Sequence, residues 1–196
     1  MLAGGRSRRF SGMPKGLSVV AGSRIVDRVT RALRAVTTDI VLAANDADAS
    51  TWTPGIRVLR DIHESAGGLA GIEAALSLGR NAIVVAWDMP FVTADLLQVI
   101  AEAAARESAD AVVPRSMGPI GFEPFCAFYA VSAAPQLSAF LERGGRAAHE
   151  FIGQLQQPRF VEDETILRLG DPARFFFSVN TPADLERANA MADMTR

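Results

Sequence analysis

The chain has 196 residues and a formal net charge of −2, with 49% hydrophobic and 21% charged residues. That length carries one well-buried domain with little room for a second, and the balanced charge excludes a disordered chain and a general nucleic-acid binder. A lone cysteine, Cys126, excludes an intrachain disulfide and a cysteine-built zinc centre. No uninterrupted apolar run approaches the roughly 18 residues of a membrane span, and the start lacks a signal-peptide apolar core, so a reducing cytoplasm is the expected location.

The first sixteen residues hold four glycines and four basic side chains, Arg6, Arg8, Arg9 and Lys15, and no acid precedes Asp27. Glycine lets backbone N–H groups converge on an anion without a Cβ in the way, and the cations supply the opposite charge, so the stretch reads as a phosphate cradle rather than a basic tail. It is not a Walker A loop, because Gly16 stands where a hydroxyl residue should follow Lys15. The adjacent Gly4 and Gly5 do not fit a dinucleotide-binding Gly-x-Gly-x-x-Gly either. Such a loop should follow a central strand of about five or six residues, and only Met1, Leu2 and Ala3 precede it. The first strand is therefore expected to be unusually short or cut short at its start. Apolar residues added ahead of Met1 should raise the thermal midpoint, since a partial central strand leaves ladder groups unpaired.

Further along, Ile25, Val26, Val29, Leu33 and Val36 recur at helical spacing with Arg24, Asp27, Arg28, Arg31 and Arg34 between them, which predicts a helix over 24–36. Residues 40–43, 57–59, 83–87 and 111–113 read as strands. Helices are predicted over 69–78, after Gly67 and Gly68, and over 94–105, with Thr93 as N-cap. Residues 117–123 read as a loop. A strand over 125–130 has no crossover helix before it and should run antiparallel. Helices over 133–141 and 146–155 are separated by Gly144 and Gly145, and 159–161 and 175–179 are further strand candidates. A last helix begins at Pro182, with Thr181 as N-cap and Asp184 completing a capping box. The alternation predicts an α/β fold: a mostly parallel mixed sheet flanked by helices on both faces.

Four stretches carry chemistry. Besides the glycine-rich start, an apolar run over 83–87 ends abruptly on Asp88, and ligands of open α/β sheets sit beyond the carboxyl ends of strands. A carboxylate beside phosphates implies Mg²⁺, which takes one or two carboxylates together with phosphate oxygens and water. Asp61 ends a second strand ahead of a helix whose free N–H groups face the same edge, and it could accept from a base or ribose or help hold the metal. His63 and His149, the two histidines, read as a solvated loop residue and a helix-surface residue, not as bases. Asn180 closes a fourth strand-end candidate and can donate and accept at once, although Asn-Thr-Pro is also ordinary turn chemistry.

In order, Leu2-Ala3-Gly4-Gly5 with Pro14-Lys15, then Gly67-Gly68-Leu69-Ala70-Gly71, Asp88-Met89-Pro90, Glu123-Pro124-Phe125 and Asn180-Thr181-Pro182 resemble the molybdenum cofactor guanylyltransferases over nearly the whole chain. The resemblance implies a Rossmann-like nucleotidyltransferase domain spanning 1–196, its N-terminal part binding nucleotide and its C-terminal part the pterin acceptor. It implies transfer of GMP from GTP to molybdopterin with Mg²⁺ and release of pyrophosphate. Leu2, Ala3 and Gly4 would frame the guanine, and Gly5, Arg9 and Lys15 would hold the triphosphate. Asn45 and Asp61 would face the nucleotide, Asp88 would ligate the metal, and Asn180 would belong to the acceptor side. Lys15, Arg9 and Asp88 would then carry the catalysis.

Partners would be the two substrates and proteins that supply molybdopterin or mature molybdoenzymes, with no nucleic acid and no membrane. The chain departs from the family pattern at Pro14, where an acid is usual and where proline marks the cytidylyltransferase relatives. It departs again at Trp87 in place of a cysteine and at Ser178 in place of an asparagine. A cytidylyltransferase or other nucleotidyltransferase is the alternative activity, and a non-catalytic nucleotide- or cofactor-binding subunit the alternative of another class.

Overall fold

The computed structural model describes residues 1–3, 14–63, 66–106 and 108–194. A 3-10 turn, Lys15–Leu17, leads into a small hairpin, β1 (Val19–Val20) and β2 (Ser23–Arg24). Ala21 and Gly22 make its two-residue turn with φ of 48° and 79°, the paired positive angles that match hairpin twist. The helix α1 (Ile25–Arg34) follows at once and buries Ile25, Val26, Val29 and Leu33, the stripe its spacing foretold. Next come β3 (Val41–Ala43), a short α2 (Ala49–Trp52), β4 (Arg57–Leu59), α3 (Gly68–Leu76), β5 (Ala82–Val85), α4 (Ala94–Arg106) and β6 (Ala111–Pro114). The remainder is β7 (Cys126–Tyr129), α5 (Ala134–Glu142), α6 (Ala148–Gln154), β8 (Pro158–Val161), α7 (Asp163–Leu167), α8 (Pro172–Phe175) and α9 (Pro182–Asp193). Among the described residues no helix is long and apolar enough to cross a membrane.

The strands β3 and β4 pair in parallel, and β5-β7-β6-β8 form a second ladder in which β7 runs antiparallel to both neighbours and β8 parallel to β6. Leu2 bridges Ala43 and Ala86, both in parallel, and so joins the two ladders into one sheet. The mixed, mostly parallel sheet expected from the sequence results, with the strand over 125–130 antiparallel as foreseen. Strand residues alternate between two apolar layers: Leu42, Val85, Val112 and Cys126 pack with α1, α4 and α9. Ala43, Val84, Val113 and Ala127 pack with α3, α5 and α6 on the other face.

At the centre, Met1, Leu2 and Ala3 lie between β3 and β5, with Leu2 as the bridged residue. The Leu2 N–H donates to Val85 O at 2.9 Å, the Trp87 N–H to Leu2 O at 3.1 Å and the Ala43 N–H to Met1 O at 2.9 Å. Behind Met1 the space between β3 and β5 is a cavity of about 430 Å³, walled by Leu33, Ile40, Val41, Leu78, Ile83 and Ala104 among others. The Met1 α-amino group is buried against it, donating to Val41 O at 2.8 Å, and burial lowers its pKa from 8.0 to about 5.

One strand expectation fails. Residues 175–179 do not join a ladder: Phe175 ends α8, which Asp171 caps by accepting from the Ala173 N–H and which Pro172 starts. Phe175 and Val179 satisfy their hydrophobicity by packing into the α1/α4 layer from a helix end and a loop. Burial without alternation, coupled to a strong Asp-Pro helix start, is what the residue pattern alone could not distinguish from a buried strand.

The capping box of α9 forms as expected. The Asp184 N–H donates to Thr181 Oγ1 at 3.2 Å, and Asp184 Oδ2 accepts from the N–H groups of Thr181 and Asn180 at 2.8 and 3.0 Å. Burial pushes the Asp184 carboxyl up, but hydrogen bonds from Arg187, Thr181 and Asn180 outweigh it and hold the group below its ordinary value. A depressed carboxylate stabilises the fold above the unfolded value of 3.8 and loses that contribution as pH falls through the folded one. Asp184→Ala is therefore expected to cost about 1–2 kcal/mol at pH 7, or roughly 3–6 °C in thermal midpoint. The gap between variant and parent should narrow in thermal scans near pH 3.

Candidate active site

Three chain segments deliver side chains to one edge of the sheet. The strands β3, β4 and β5 run parallel to the Met1–Ala3 segment, so their carboxyl ends share that edge, and Asn45, Asp61 and Asp88 each follow a strand end by two or three residues.

Asn45 and Asp61 hold each other. Asn45 Nδ2 donates to Asp61 Oδ2 at 2.6 Å, and the Asp61 N–H donates to Asn45 Oδ1 at 2.9 Å. The two bonds orient the amide and carboxylate beyond β3 and β4 while leaving both residues solvent-facing. Beyond β5, Lys15 Nζ donates to Asn180 Oδ1 at 2.7 Å and lies 3.7 Å from Asp88 Oδ2. The Val179 N–H donates to Asp88 O at 2.9 Å, which docks the segment before α9 onto the strand end. Residues far apart in sequence thus meet: the lysine of the N-terminal loop, the strand-end aspartate and the asparagine of the Asn-Thr-Pro turn. The Asp184 cap that fixes the Asn180 N–H also sets the position of its amide.

The Asp88 side chain is 15% exposed and that of Lys15 14%. Burial raises the Asp88 carboxyl above its ordinary range, and Lys15 only partly offsets that rise. A desolvated carboxylate with one cation beside it has coordination to spare. No group of three or more His, Cys, Asp or Glu side chains among the described residues is arranged to hold a metal. Among the described residues the donor set fits an ion that arrives on phosphate oxygens and takes one carboxylate from the protein, the habit of Mg²⁺.

Leu2 and Ala3 lie in the sheet at its centre, Leu2 buried and Ala3 donating its N–H to Ala43 O at 2.9 Å, immediately before the loop. Gly4, Gly5 and Arg9 lie outside the described residues. His63 Nδ1 is 2.7 Å from Oε2 of Glu73, a contact in which the ring N–H donates to a carboxylate 5% exposed on α3. Glu73 was missed in the sequence. The only signal was a single charge inside the small and apolar run Gly68–Leu76. The pair ties the segment after β4 to α3, which gives His63 a structural occupation. Glycines admit close packing here too: a Cβ at Gly68 would meet the Phe125 ring at 2.4 Å, and one at Gly71 would meet Leu2 Cδ2 at 2.7 Å.

Comparison with known proteins extends these observations. The family described as MobA-like NTP transferase domain matches residues 1–158. A probable molybdenum cofactor guanylyltransferase of Pelotomaculum thermopropionicum is 32% identical over all of this chain and 93% of its own length. A molybdenum cofactor guanylyltransferase of Desulfosudis oleivorans is 31% identical over 97% of this chain and 93% of its own. Among solved structures, molybdopterin-guanine dinucleotide biosynthesis protein A from Archaeoglobus fulgidus superposes with a TM-score of 0.82 at 28% identity, covering 98% of this chain and 97% of that one. At 19% identity, the 2-C-methyl-D-erythritol 4-phosphate cytidylyltransferase of Thermus thermophilus shares the fold with a TM-score of 0.65, over 92% of this chain and 94% of its own.

Proposed function

The chain belongs to the MobA-like NTP transferase domain family and is a nucleotidyltransferase, and from that premise we propose that it transfers GMP from GTP to molybdopterin, releasing pyrophosphate. The observation that carries the reading is the meeting of Lys15, Asp88 and Asn180 beyond β5, in a chain whose full-length relatives are named guanylyltransferases. The work belongs to a cytoplasmic biosynthetic enzyme, with molybdopterin-supplying and molybdoenzyme-maturation proteins as its neighbours.

The nucleophile is an oxygen of the acceptor's terminal phosphate. Its bond to the α-phosphorus of GTP forms as the bond from that phosphorus to the β-phosphate bridging oxygen breaks, and the electron pair leaves on pyrophosphate. The nucleophile is already anionic, so no side chain needs to remove a proton, and the protein's contribution is alignment and charge neutralisation. Lys15 exchanges its contact with Asp88 for triphosphate oxygens. Arg9 and Gly5 complete the anion cradle, Leu2, Ala3 and Gly4 frame the guanine, and Asn45 with Asp61 orients the nucleoside. Asn180 faces the acceptor. Asp88 would hold Mg²⁺, which when bound neutralises charge on the phosphate oxygens of the reacting centre. N-terminal residues thus serve the nucleotide and C-terminal residues the acceptor within one domain.

The direct test is incubation with GTP, Mg²⁺ and molybdopterin, reading pyrophosphate release and the guanylylated pterin. Asn180→Ala is expected to raise the acceptor KM at least about tenfold, losing a hydrogen bond to a charged group, while the KM for GTP changes less. An equal effect on both substrates would place Asn180 elsewhere. Release from CTP in preference to GTP would make the enzyme a cytidylyltransferase, the reading that Pro14 favours.

A further inference from the structure

The turn that carries Lys15 sits on an indole. Gly16 is buried, and a Cβ built on it would lie 2.3 Å from Cε3 and 2.5 Å from Cδ2 of Trp87, far inside any real contact. Gly16 is not among the residues with positive φ. Glycine is required there for room, not for backbone freedom. Trp87, 4% exposed, is the residue before Asp88, and its ring stacks on Trp52 with centroids 4.9 Å apart and planes at 26°. Trp52 is anchored in turn: its carbonyl accepts from Arg24 Nη1 at 3.1 Å, and Arg24 pairs with Asp27. A rigid stack therefore runs from α2 to the underside of the Lys15–Leu17 turn, and one covalent step along the chain from that stack is the carboxylate that Lys15 faces.

We propose that Trp87 is a positioning residue for the transfer reaction: its ring face is the seat of the Lys15 turn and sets where the lysine ammonium stands relative to Asp88 and Asn180. A flat, wide, torsionally restricted ring fixes that height better than an aliphatic side chain, because few rotamers compete. The proposal rests on the triphosphate role given to Lys15, and misplacement of such a group by about 1 Å can cost on the order of a hundredfold in rate.

The test measures kcat and KM for GTP in Gly16→Ala, Trp87→Leu, the double variant and Lys15→Met, with thermal midpoints alongside. Gly16→Ala is expected to lower kcat about ten- to a hundredfold, with a smaller change in KM, because the added methyl lifts the turn off its seat. In the double variant the trimmed side chain makes room for that methyl, so its kcat should be no lower than that of Trp87→Leu alone. In the Lys15→Met background neither change should lower kcat further. A fully active Gly16→Ala, a double variant with the product of the two single losses, or undiminished losses without Lys15 would overturn the proposal. If Trp87→Leu does not fold, Trp87→Phe replaces it, since the smaller ring also withdraws atoms from Gly16. Parental turnover in Lys15→Met would instead refute the role of Lys15 itself, a separate failure visible in that variant alone.

Discussion

Asp88→Asn is expected to cut turnover on the order of a thousandfold while the thermal midpoint stays at or slightly above that of the parent. The amide keeps the volume, and Lys15 keeps its hydrogen bond to Asn180, but the variant lacks the charge that competes for a divalent cation. The stability half follows from the sign of the carboxyl's shift. Burial raises the Asp88 pKa in the folded protein despite Lys15, so the folded state binds this proton more tightly than the unfolded chain does. As pH rises past the carboxylate range the unfolded chain ionises first, and the buried charge then works against the fold. Asparagine removes that burden. The checks are pyrophosphate release across a Mg²⁺ titration and a thermal scan at pH 7. Parental turnover would remove Asp88 from the reaction, and a large fall in the midpoint would show that the charge holds the fold together.

Apolar residues joined ahead of Met1 are expected to raise the thermal midpoint and flatten the pH dependence of stability. The cavity behind Met1 lies between β3 and β5, and Leu2 already bonds both sides, so chain continuing in the same direction meets Val41 and Ile83 on either flank. The present terminus buries an amine whose pKa is about 5 against 8.0 unfolded. Below pH 8 the unfolded chain therefore holds more of this proton than the folded one, and stability climbs as pH rises from 5 to 8 before levelling off. Three units at ~1.4 kcal/mol each amount to about 4 kcal/mol across that window. A Val-Ile-Val extension replaces the amine with a peptide group, fills the cavity with side chains and moves the charge outward. Urea titrations at pH 5.5 and pH 8 compare the two chains. An unchanged slope with pH, or no gain in midpoint, would mean that the cavity does not take extended chain.

What the sequence revealed depended on how local the signal was. The cap of α9 was legible because Thr181, Pro182 and Asp184 act on each other within four residues. Asp88 was legible because an apolar strand stopped on a charge, and α1 because its stripe is regular. The β1/β2 hairpin was not, since its turn puts Ala21 at positive φ, a conformation alanine rarely signals. Residues 175–179 misled because apolar loop and apolar strand read alike once both are buried. Within the site, Lys15, Asp88 and Asn180 were each singled out, but their contact is tertiary and joins residues 165 positions apart. Glu73, Trp52 and the seat of Gly16 on Trp87 were invisible for the same reason: each is defined only by what the fold sets against it.

The measurement that bears most directly on the central claim is calorimetric binding of GTP, CTP and ATP with Mg²⁺, repeated on Asp88→Ala. The expected result is a clear preference for GTP that weakens markedly, along with its Mg²⁺ dependence, in the variant. Equal affinity for the three nucleotides, or GTP binding indifferent to both Mg²⁺ and Asp88, would contradict a guanylyltransferase in which that carboxylate meets the triphosphate through a metal.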